Sequence, residues 1–253
     1  MKIAVYTCIT GNYDELTVPQ RLDNRLEYYC ITDNPSVIIK PWKYIPIKST
    51  HLSKKDQNRY AKMHCYELFP THDVTIYVDG SIQIVGDVPE LVTQILLRPE
   101  ELFVYDHPFR SCIFSEAAAC IHYSHDWIWT IVTQMRKYRK EGYPLDNGLF
   151  EAGVIIRKKS DKVQQFMNLW WNEYMHGTKR DQLSFPVAAW RLNFMIGSLG
   201  KSDPRFTHKY FKFINHARRR ILKVILRKYI NRTTTFLIPC HKLFGTPFTL
   251  KWK

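Results

Sequence analysis

Short apolar segments with the length of β-strands alternate with helical segments along the first 200 residues of the chain. The pattern predicts strands at residues 2–8, 27–32, 42–47, 74–78, 82–85, 102–105 and 153–157, and helices at 54–69, from 88 onward, and at 115–138, 162–174 and 181–189. Such alternation predicts an α/β sheet with helices on its faces. Ligands of such sheets bind at the edge where the strands end.

Polar residues follow several of the predicted strands, namely Thr10, Asp33, Asp79 and His107. The strongest local signal is the apolar strand 74–78, which delivers the carboxylate of Asp79 to an exposed end before Gly80 turns the chain. Such a carboxylate can hold a divalent cation against a diphosphate, or it can hydrogen-bond a sugar. The alternative is an ordinary Asp-Gly turn.

Two cationic residues, Arg59 and Lys62, lie on the helix predicted over residues 54–69. Because they are three positions apart, they share one helix face. From that face they could reach donor phosphates or a sugar. The alternative is that they form a solvated helix surface.

Charge is distributed very unevenly along the chain. Residues 201–253 contain 14 lysines and arginines and a single acid, Asp203, whereas residues 1–200 contain 23 basic and 22 acidic residues. We therefore predict a main domain over residues 1–205 and a basic extension over residues 206–253. A concentrated basic patch attracts phosphate, on nucleic acid or on anionic lipid.

The extension contains a segment that mixes apolar and cationic residues. As a helix over residues 211–230 it would align six residues along one side: Ile214, Ala217, Ile221, Val224, Ile225 and Lys228. A basic amphipathic helix is typical of membrane surfaces, so we expect residues 209–232 to bind an anionic membrane. The alternative is a helix that packs on the main domain with its cationic face in solvent.

The six cysteines form no CxxC pair and no cluster with zinc-binding spacing, which favours a reducing compartment. No apolar run has the length of a membrane span, and the first residues enter a strand pattern rather than a signal sequence. We expect a cytoplasmic protein that is peripheral on the inner face of the cell membrane.

The order of the motifs resembles that of GT-A glycosyltransferases, and most of all the glycosyltransferase-like family of plant MUCI/TOD proteins and bacterial polysaccharide-locus enzymes. The resemblance covers residues 1–200 and implies a Rossmann-like mixed α/β sheet flanked by helices, followed here by a basic helical C-terminal extension. The motifs that carry it are the segments 6–14, 29–34, 77–81, 107–110, 116–117, 151–153 and 181–182, with Arg59 and Lys62.

The resemblance assigns roles to the ends of the first strands. The Thr10-Gly11 turn would cradle a nucleotide, with Tyr13 and Asp33 near the base or ribose. Asp79 would be the first carboxylate of the family's DxD element.

One position departs from the family pattern, because Ser81 stands where the second DxD carboxylate would be. A hydroxyl is a poorer ligand than a carboxylate for Mn²⁺ or Mg²⁺, which puts a metal cofactor in doubt. The resemblance suggests His208 as a late ligand beside Asp79, although a lone histidine is more often structural.

Further roles come from the same resemblance. Asp181 and Gln182 resemble the Asp-Gln element of retaining, glycogenin-like transferases, and Asp181 and Glu151 are the candidates for charge stabilisation and acid–base work. A sugar or acceptor pocket would be lined by Gln182 and by three more residues: His107, Arg110 and Glu116. Asp181 could instead be a helix N-terminal acid, and Arg110 with Glu116 a structural ion pair.

The predicted function is transfer of a sugar from a nucleotide sugar, UDP-linked by family analogy, to a saccharide or lipid-linked saccharide acceptor in capsule or lipopolysaccharide biosynthesis. One alternative is a non-catalytic carbohydrate-binding protein on a transferase fold. Another is a nucleic-acid-binding protein that uses the basic tail. Because the body is neutral and carries no RRM, KH or zinc-finger pattern, we expect no nucleic-acid partner.

Overall fold

A computed structural model describes residues 1–214, 222–238 and 240–245 of the chain. Its strands are β1 (Ile3–Ile9), β2 (Leu26–Thr32), β3 (Lys43–Pro46), β4 (Val74–Val78), β5 (Ile82–Ile84), β6 (Leu102–Asp106), β7 (Phe150–Lys158), β8 (Ile196–Lys201) and β9 (Phe211–Phe213). Its helices are α1 (Lys54–Met63), α2 (Cys65–Leu68), α3 (Val88–Leu96), α4 (Ile113–His122), α5 (Ile128–Lys140), α6 (Asp161–His176), α7 (Asp181–Arg191), α8 (Asp203–Phe206), α9 (Leu222–Leu237) and α10 (Cys240–Phe244).

The chain forms two compact units. The first comprises Met1–Asp106, Glu151–Asn168 and the described part of Met195–Arg218. The second comprises His107–Phe150, Leu169–Phe194 and the described part of Arg219–Lys253. The chain therefore passes between the units several times, and each unit is assembled from distant parts of the sequence.

The first unit contains a seven-stranded sheet in the order β3-β2-β1-β4-β7-β6-β8. β1 runs parallel to β2 and to β4, whereas β7 runs antiparallel to β4. A second, two-stranded sheet pairs β5 with β9. The predicted mixed α/β sheet flanked by helices is confirmed, and the ends of β1, β2 and β4 meet at one sheet edge because these strands are parallel.

One face of the sheet is covered by α1, and a buried arginine fixes this helix. Arg157, which is 1% exposed, donates from Nη1 to the carbonyl of Lys62 at 2.7 Å and from Nη2 to the hydroxyl of Tyr6 at 2.6 Å. The Tyr6 hydroxyl also lies 3.2 Å from the carbonyl of Ala61. A guanidinium at the end of a helix satisfies carbonyls that the helix leaves without partners.

The second unit is helical, with a core from α4, α5 and α7 that also includes Leu243 and Phe244 of α10. Asn231 of α9 is fully buried and joins three elements. Its Oδ1 accepts from the backbone N–H of Ile128 at 3.1 Å, and its Nδ2 donates to the carbonyls of Ile121 at 3.2 Å and Asp126 at 2.9 Å. Asn231 therefore caps the first turn of α5 from a distant part of the chain.

The single helix predicted over residues 115–138 is wrong, because α4 and α5 are separate. The break occurs where Ser124 adopts a positive φ of 56° and the N–H of His125 bonds the carbonyl of Cys120 at 2.8 Å. Likewise, the helix predicted over residues 54–69 ends at Met63 and a short helix follows it. His64 lies between the two with φ −109° and ψ 44°, outside the helical region.

Part of the predicted amphipathic helix lies outside the described residues, because positions 215–221 are not described. Of its predicted side, Ile225 and Lys228 are exposed on α9. The division into residues 1–205 and 206–253 stays a prediction, although Phe211–Phe213 pairs with β5 of the first unit. Among the described residues, none of the helices combines the length and apolarity that crossing a membrane requires.

The segment after β8 folds around one buried carboxylate. Asp203, 5% exposed, accepts the Thr207 hydroxyl and the N–H of Lys209 at Oδ1. Its Oδ2 accepts the N–H groups of Tyr210 and Phe211, both at 2.9 Å. Burial raises the pKa of Asp203, but these hydrogen bonds outweigh burial and hold the pKa below its ordinary value.

We expect Asp203→Asn to lower the free energy of unfolding by about 3 kcal/mol, because an amide group would replace one acceptor oxygen and leave buried N–H donors without partners. Urea denaturation would measure the loss. Asp161→Asn is the matched control: Asp161 is an exposed acid in the first turn of α6, so its replacement should cost less than about 1 kcal/mol.

The lowered pKa of Asp203 also predicts how its contribution to the stability of the protein depends on pH. Because the folded-state pKa of Asp203 is lowered, its stabilising effect is complete above the unfolded-state pKa of about 3.9 and is lost as the pH falls through the folded value. The stability difference between wild type and Asp203→Asn should therefore shrink below about pH 4. A difference that stays constant down to pH 2 would contradict this account.

Candidate functional site

The turn after β1 is held by its neighbours on β2 and α1. The N–H of Gly11 donates to both carboxylate oxygens of Asp33, at 3.0 and 3.1 Å. Lys54 Nζ lies 2.7 Å from Asp33 Oδ2, and the Thr10 hydroxyl donates to the carbonyl of Lys54 at 2.7 Å. Gly11 has φ +62°, a conformation that glycine adopts without strain. Thr10, Gly11 and Asp33 are thus brought together.

Asp33 is ionised in this turn. Burial raises its pKa, but the hydrogen bonds from Lys54 and from the N–H of Gly11 outweigh burial and lower the pKa overall. Tyr13 follows on the same turn, where its N–H bonds the carbonyl of Thr10 at 3.4 Å and its side chain is 47% exposed. The aromatic ring of Tyr13 therefore lies largely in solvent beside this turn.

Asp79 lies directly after β4, as predicted, and one of its oxygens accepts a hydrogen bond. The Tyr77 hydroxyl donates to Asp79 Oδ1 at 2.7 Å. Burial, and then the negative charge of Asp79, raise the pKa of Tyr77 well above its ordinary value, so the hydroxyl keeps its proton. A Cβ at Gly153 would lie 2.9 Å from Ile82 Cδ1 and 3.3 Å from Asp79 Oδ2, so glycine at this position permits β7 to pack closely against the Asp79 carboxylate.

The loop after β4 touches the loop after β1. A Cβ at Gly80 would lie 2.9 Å from Asp14 Oδ2 and 3.2 Å from Ile9 Cγ1, so glycine permits the close approach. Ser81 is buried, and its carbonyl accepts from the N–H of Ile214 at 2.8 Å. Asp79 and the Gly11 turn therefore belong to the same sheet edge.

Helix α1 adds polar and cationic groups to this edge. Asn58 Nδ2 donates to the carbonyl of Cys8 at 2.6 Å, and its Oδ1 lies 3.4 Å from the Tyr77 hydroxyl and accepts from Arg59 Nη1. Lys62 is 2% exposed, with its Nζ 5.3 Å from the centroid of the Tyr77 ring. The two predicted cations thus flank the tyrosine that holds Asp79, and Lys62 is not the solvated surface residue of the alternative.

Glu151 lies on β7 beside Asp79. The N–H of Asp79 bonds the carbonyl of Gly153 at 2.8 Å, and alternate residues of a strand share one face, so Glu151 lies on the face of Gly153. Arg205 Nε donates to Glu151 Oε1 at 2.8 Å. Glu151 Oε2 is buried and has no hydrogen-bond partner among the described residues.

The donor set does not fit a dedicated cation site. His208 is exposed and lies next to Lys209, which contacts Gly86 just after β5. Asp79 lies just before β5, so the two residues are at opposite ends of this strand. Where the chain is described, three or more His, Cys, Asp or Glu side chains nowhere gather in a way that could hold a metal ion. We therefore derive no step through Mn²⁺ or Mg²⁺.

A small cleft of about 260 Å³, including space open to solvent, adjoins the strand ends. Ile9 and Gly80 line it together with Trp42, whose Nε1 donates to the carbonyl of Thr17 at 2.8 Å. The Thr7 hydroxyl, which also lines the cleft, is buried without a hydrogen-bond partner among the described residues. None of the predicted cations lines the cleft.

In the second unit, the predicted pocket residues form a network around one buried carboxylate. Glu116 is 2% exposed. Arg110 donates from Nε and Nη2 to Glu116 Oε2, at 2.8 and 2.7 Å, and Arg180 Nη2 lies 3.4 Å from Oε1. Burial raises the pKa of Glu116, but Arg180, Arg110 and His107 outweigh burial and lower it overall. The ion pair of Arg110 and Glu116 is therefore formed.

His107 has a defined tautomer in this network. Its Nδ1 accepts from the N–H groups of Phe109 at 3.2 Å and Arg110 at 3.0 Å, so Nε2 carries the ring proton. Nε2 lies 3.8 Å from Glu116 Oε2. The neutral imidazole therefore directs an N–H toward the buried carboxylate.

Asp181 is the first residue of α7 and is 5% exposed. Its carbonyl accepts from Trp170 Nε1 at 2.9 Å and from the Ser184 hydroxyl at 3.1 Å. Gln182 donates from Nε2 to the carbonyl of Phe150 at 2.8 Å and accepts from Arg180 at 3.2 Å. Asp181 thus has the helix N-terminal position that the structural alternative describes, and its catalytic role stays a prediction.

The sequence interpretation missed several residues that hold the predicted ones in place. Tyr77 was identified only as part of a strand, although its position two residues before Asp79 puts both side chains on one strand face. Lys54, Asn58 and Lys62 follow one another at intervals of four residues and so share one helix face, which means that helix geometry could have identified the first two. Nothing local identifies Arg205 or Arg180 as partners of Glu151 and Glu116, because these carboxylates lie 54 and 64 residues away in the sequence.

Comparison with known proteins places the chain in a family. A family model described as "TOD1/MUCI70, glycosyltransferase-like domain" matches residues 26–225. The chain belongs to the TOD1/MUCI70 family. The resemblance to plant MUCI/TOD proteins is therefore confirmed.

Two relatives from Arabidopsis thaliana illustrate the family. The "Probable hexosyltransferase MUCI70" is 23% identical over 210 residues, which cover 72% of this chain and 36% of that protein. The "Alkaline ceramidase TOD1" is 26% identical over 180 residues, which cover 64% of this chain and 38% of that protein. The chain spans little more than a third of the length of these curated relatives.

Two solved structures are among those that a structure comparison finds similar to this chain, both at low sequence identity. Mouse xyloside xylosyltransferase 1 in its apo form has a TM-score of 0.47 and 11% identity, with 79% of this chain and 85% of that chain covered. A CMP:2-keto-3-deoxy-manno-octonic acid synthetase complexed with CTP has a TM-score of 0.43 and 12% identity, with 94% and 100% covered.

We expect Glu116→Gln to destabilise the protein by about 3–5 kcal/mol, because it leaves the charges of Arg110 and Arg180 without their buried counter-charge. Chemical denaturation would measure the change. The matched control is Glu141→Gln: Glu141 pairs with Arg191 at 2.6 Å, with the two side chains 35% and 23% exposed, and such a pair contributes less than about 1 kcal/mol. Equal losses in the two variants would contradict the burial argument.

Proposed function

We propose that the chain is a glycosyltransferase that moves a sugar from a nucleotide-sugar donor to a saccharide acceptor. Membership of a glycosyltransferase-like family supports the reaction class. The observation that carries the proposal is the sheet edge of the first unit, where Asp79, held by Tyr77, shares an edge with the Gly11 turn and the cations of α1.

This edge has the chemistry that a sugar diphosphate requires. A diphosphate is anionic, and Lys54, Arg59 and Lys62 bring positive charge to the strand ends. The Asp79 carboxylate, whose Oδ1 accepts from Tyr77, has a second oxygen that can accept hydrogen bonds from sugar hydroxyls. Cations for the leaving group and a carboxylate for the sugar thus lie on one edge, as transfer requires.

The reaction breaks the bond between the anomeric carbon and the diphosphate oxygen, which leaves with the electron pair. The acceptor hydroxyl oxygen forms the new bond to that carbon and gives up its proton to a base. We propose Glu151 as this base, because Arg205 holds Oε1 while the buried Oε2 has no hydrogen-bond partner among the described residues. The catalytic role of Asp181, in the second unit, stays a prediction from the sequence.

The donor charge can be balanced by the chain's own side chains. Asp79 brings a single carboxylate, and its Oδ1 already accepts the Tyr77 proton. With Ser81 in the second DxD position, we propose that the lysines and the arginine of α1 neutralise the diphosphate, and that Mn²⁺ or Mg²⁺ adds little.

The finer proposals rest on the family resemblance and on charge. They are a UDP-linked donor, a saccharide or lipid-linked saccharide acceptor, and a place in capsule or lipopolysaccharide synthesis on the cytoplasmic face of the membrane. The basic residues within 209–232 support contact with an anionic membrane, on whose surface a lipid-linked acceptor would lie.

The name of the relative TOD1 suggests ceramidase activity as a different function within the family. The tetrahedral intermediate of amide hydrolysis carries one developing negative charge, whereas the diphosphate of a nucleotide sugar carries more than one. The three cations of α1 favour a phosphorylated donor, and we therefore prefer sugar transfer.

A thermal-shift experiment with UDP and UDP-sugars tests the donor site. Bound ligand at a hundred times its Kd stabilises the folded state by about 2.7 kcal/mol, so wild type should melt several degrees higher. We expect Asp79→Asn to lose most of the shift given by UDP-sugar while retaining its melting temperature without ligand, and EDTA to leave the wild-type shift unchanged.

The control for this experiment is Asp73→Asn, because Asp73 is an exposed carboxylate next to the opposite end of β4. It should keep the full shift. A UDP-sugar shift that is equal in Asp79→Asn and wild type would refute the role of Asp79, and a shift that disappears with EDTA would restore the metal hypothesis.

Turnover tests the proposed base. We expect Glu151→Gln to lower kcat by roughly 10²–10⁴-fold with little change in donor affinity, because general-base catalysis contributes about this much. Asp181→Asn should also abolish transfer while leaving the fold intact. Radiolabelled sugar transfer under donor saturation would measure both.

Glu100→Gln is the matched control for Glu151→Gln. Glu100 also pairs with an arginine, since Arg98 Nη2 lies 2.7 Å from Oε1, but it precedes β6 near the end of β7 that is remote from Asp79. Near-normal turnover is expected. Near-normal turnover of Glu151→Gln would instead exclude this carboxylate as the base.

A further inference from the structure

Helix α9 directs large apolar side chains toward solvent. Phe236 is 88% exposed, Tyr229 70%, Leu226 59% and Ile225 58%. At about 100° per residue, Ile225, Tyr229 and Phe236 lie within roughly 40° of one another around the helix, and Leu226 flanks them. We call these four residues the α9 ridge.

The opposite side of α9 is fixed within the second unit. Asn231 is fully buried and makes three hydrogen bonds, to Ile128, Ile121 and Asp126. An amphipathic helix on a water-soluble surface normally buries its apolar stripe and exposes its polar residues. Here the amide is inside and the apolar ridge is outside, as expected of a helix whose outer face binds something apolar.

The charged residues beside the α9 ridge indicate which kind of surface it binds. Lys228 and Arg232 are exposed on the same helix, and Lys242 is exposed on α10. Asp203 is the last acid of the sequence, so α9 and α10 contain no Asp or Glu at all. An apolar ridge with cationic neighbours and no acids is complementary to an anionic lipid surface, where apolar side chains enter the boundary layer and lysines and arginines meet phosphates.

We infer that α9 lies in the plane of an anionic membrane surface and inserts the ridge into the boundary between headgroups and acyl chains. The inference rests on the proposed function in one respect, because it names the surface on which a lipid-linked acceptor would be met. It also differs from the sequence prediction: the inserted residues include Tyr229 and Phe236, which the predicted apolar side omitted.

Co-sedimentation of the full chain with vesicles tests the inference. Wild type should bind vesicles of phosphatidylglycerol and phosphatidylcholine more strongly than vesicles of phosphatidylcholine alone. Phe236→Ser and Tyr229→Ser should each weaken binding on the order of tenfold, because each removes an aromatic side chain that the bound membrane would bury. Arg232→Gln should weaken binding to the anionic vesicles by about fivefold and reduce its salt dependence.

Leu97→Ser is the matched control, because Leu97 is 86% exposed but lies after α3 in the first unit. It should bind vesicles like wild type. Ridge variants that also bind like wild type, or equal binding to the two vesicle types, would overturn the inference. A wild-type dimer that Phe236→Ser converts to a monomer in light scattering would also overturn it, since the ridge would then join two copies of the chain.

Sugar transfer to a soluble acceptor separates this inference from the proposed function. Phe236→Ser should keep wild-type turnover in solution while losing vesicle binding. If wild type binds anionic vesicles through the ridge yet transfers no sugar, the proposed function fails and the membrane inference stands.

Discussion

The hydrogen bonds of one buried guanidinium determine where the candidate site can form. Arg157 of β7 holds the carbonyl of Lys62 and the hydroxyl of Tyr6, so the end of α1 is fixed on the face of β1. A ten-residue helix is about 15 Å long, and fixing one end leaves its first turns at the carboxyl edge of the sheet. The C-terminal end of α1 is the negative end of the helix dipole, and it favours the positive charge of Arg157 beside Lys62.

Once α1 is fixed in this way, hydrogen bonds and strand pairing position the other residues at the carboxyl edge of the sheet. Asn58 donates to the carbonyl of Cys8, and the carbonyl of Lys54 accepts from the hydroxyl of Thr10. The first two turns of α1 are therefore held at the end of β1. The parallel register of β1 with β2 and β4 then places Asp33 and Asp79 on either side of it. Each ligand-binding candidate is therefore positioned by backbone pairing first and by side chains second.

A feature of the fold or of the site could be predicted from the sequence when residues close to it in the chain determine it. The first seven strands and the position of Asp79 follow from apolar runs and a glycine turn, which are visible in the sequence, whereas β8 and β9 were not predicted. The break between α4 and α5 does not, because the cap of α5 is Asn231, more than a hundred residues later. Arg205 and the pairing of β9 with β5 are equally non-local, so no local pattern could place the Glu151 pair.

In our proposal Ser81 stands where the family resemblance places a second carboxylate, and the surroundings of Asp79 suit a hydroxyl there. Two carboxylates close together repel each other unless a cation lies between them. Here a single carboxylate, Asp79, is stabilised by the protonated hydroxyl of Tyr77, and Arg59 and Lys62 lie beside that tyrosine. The diphosphate of a donor would bring its negative charge toward these cations of α1. This makes the side chains of α1, rather than a metal, the determinant of donor binding in our proposal.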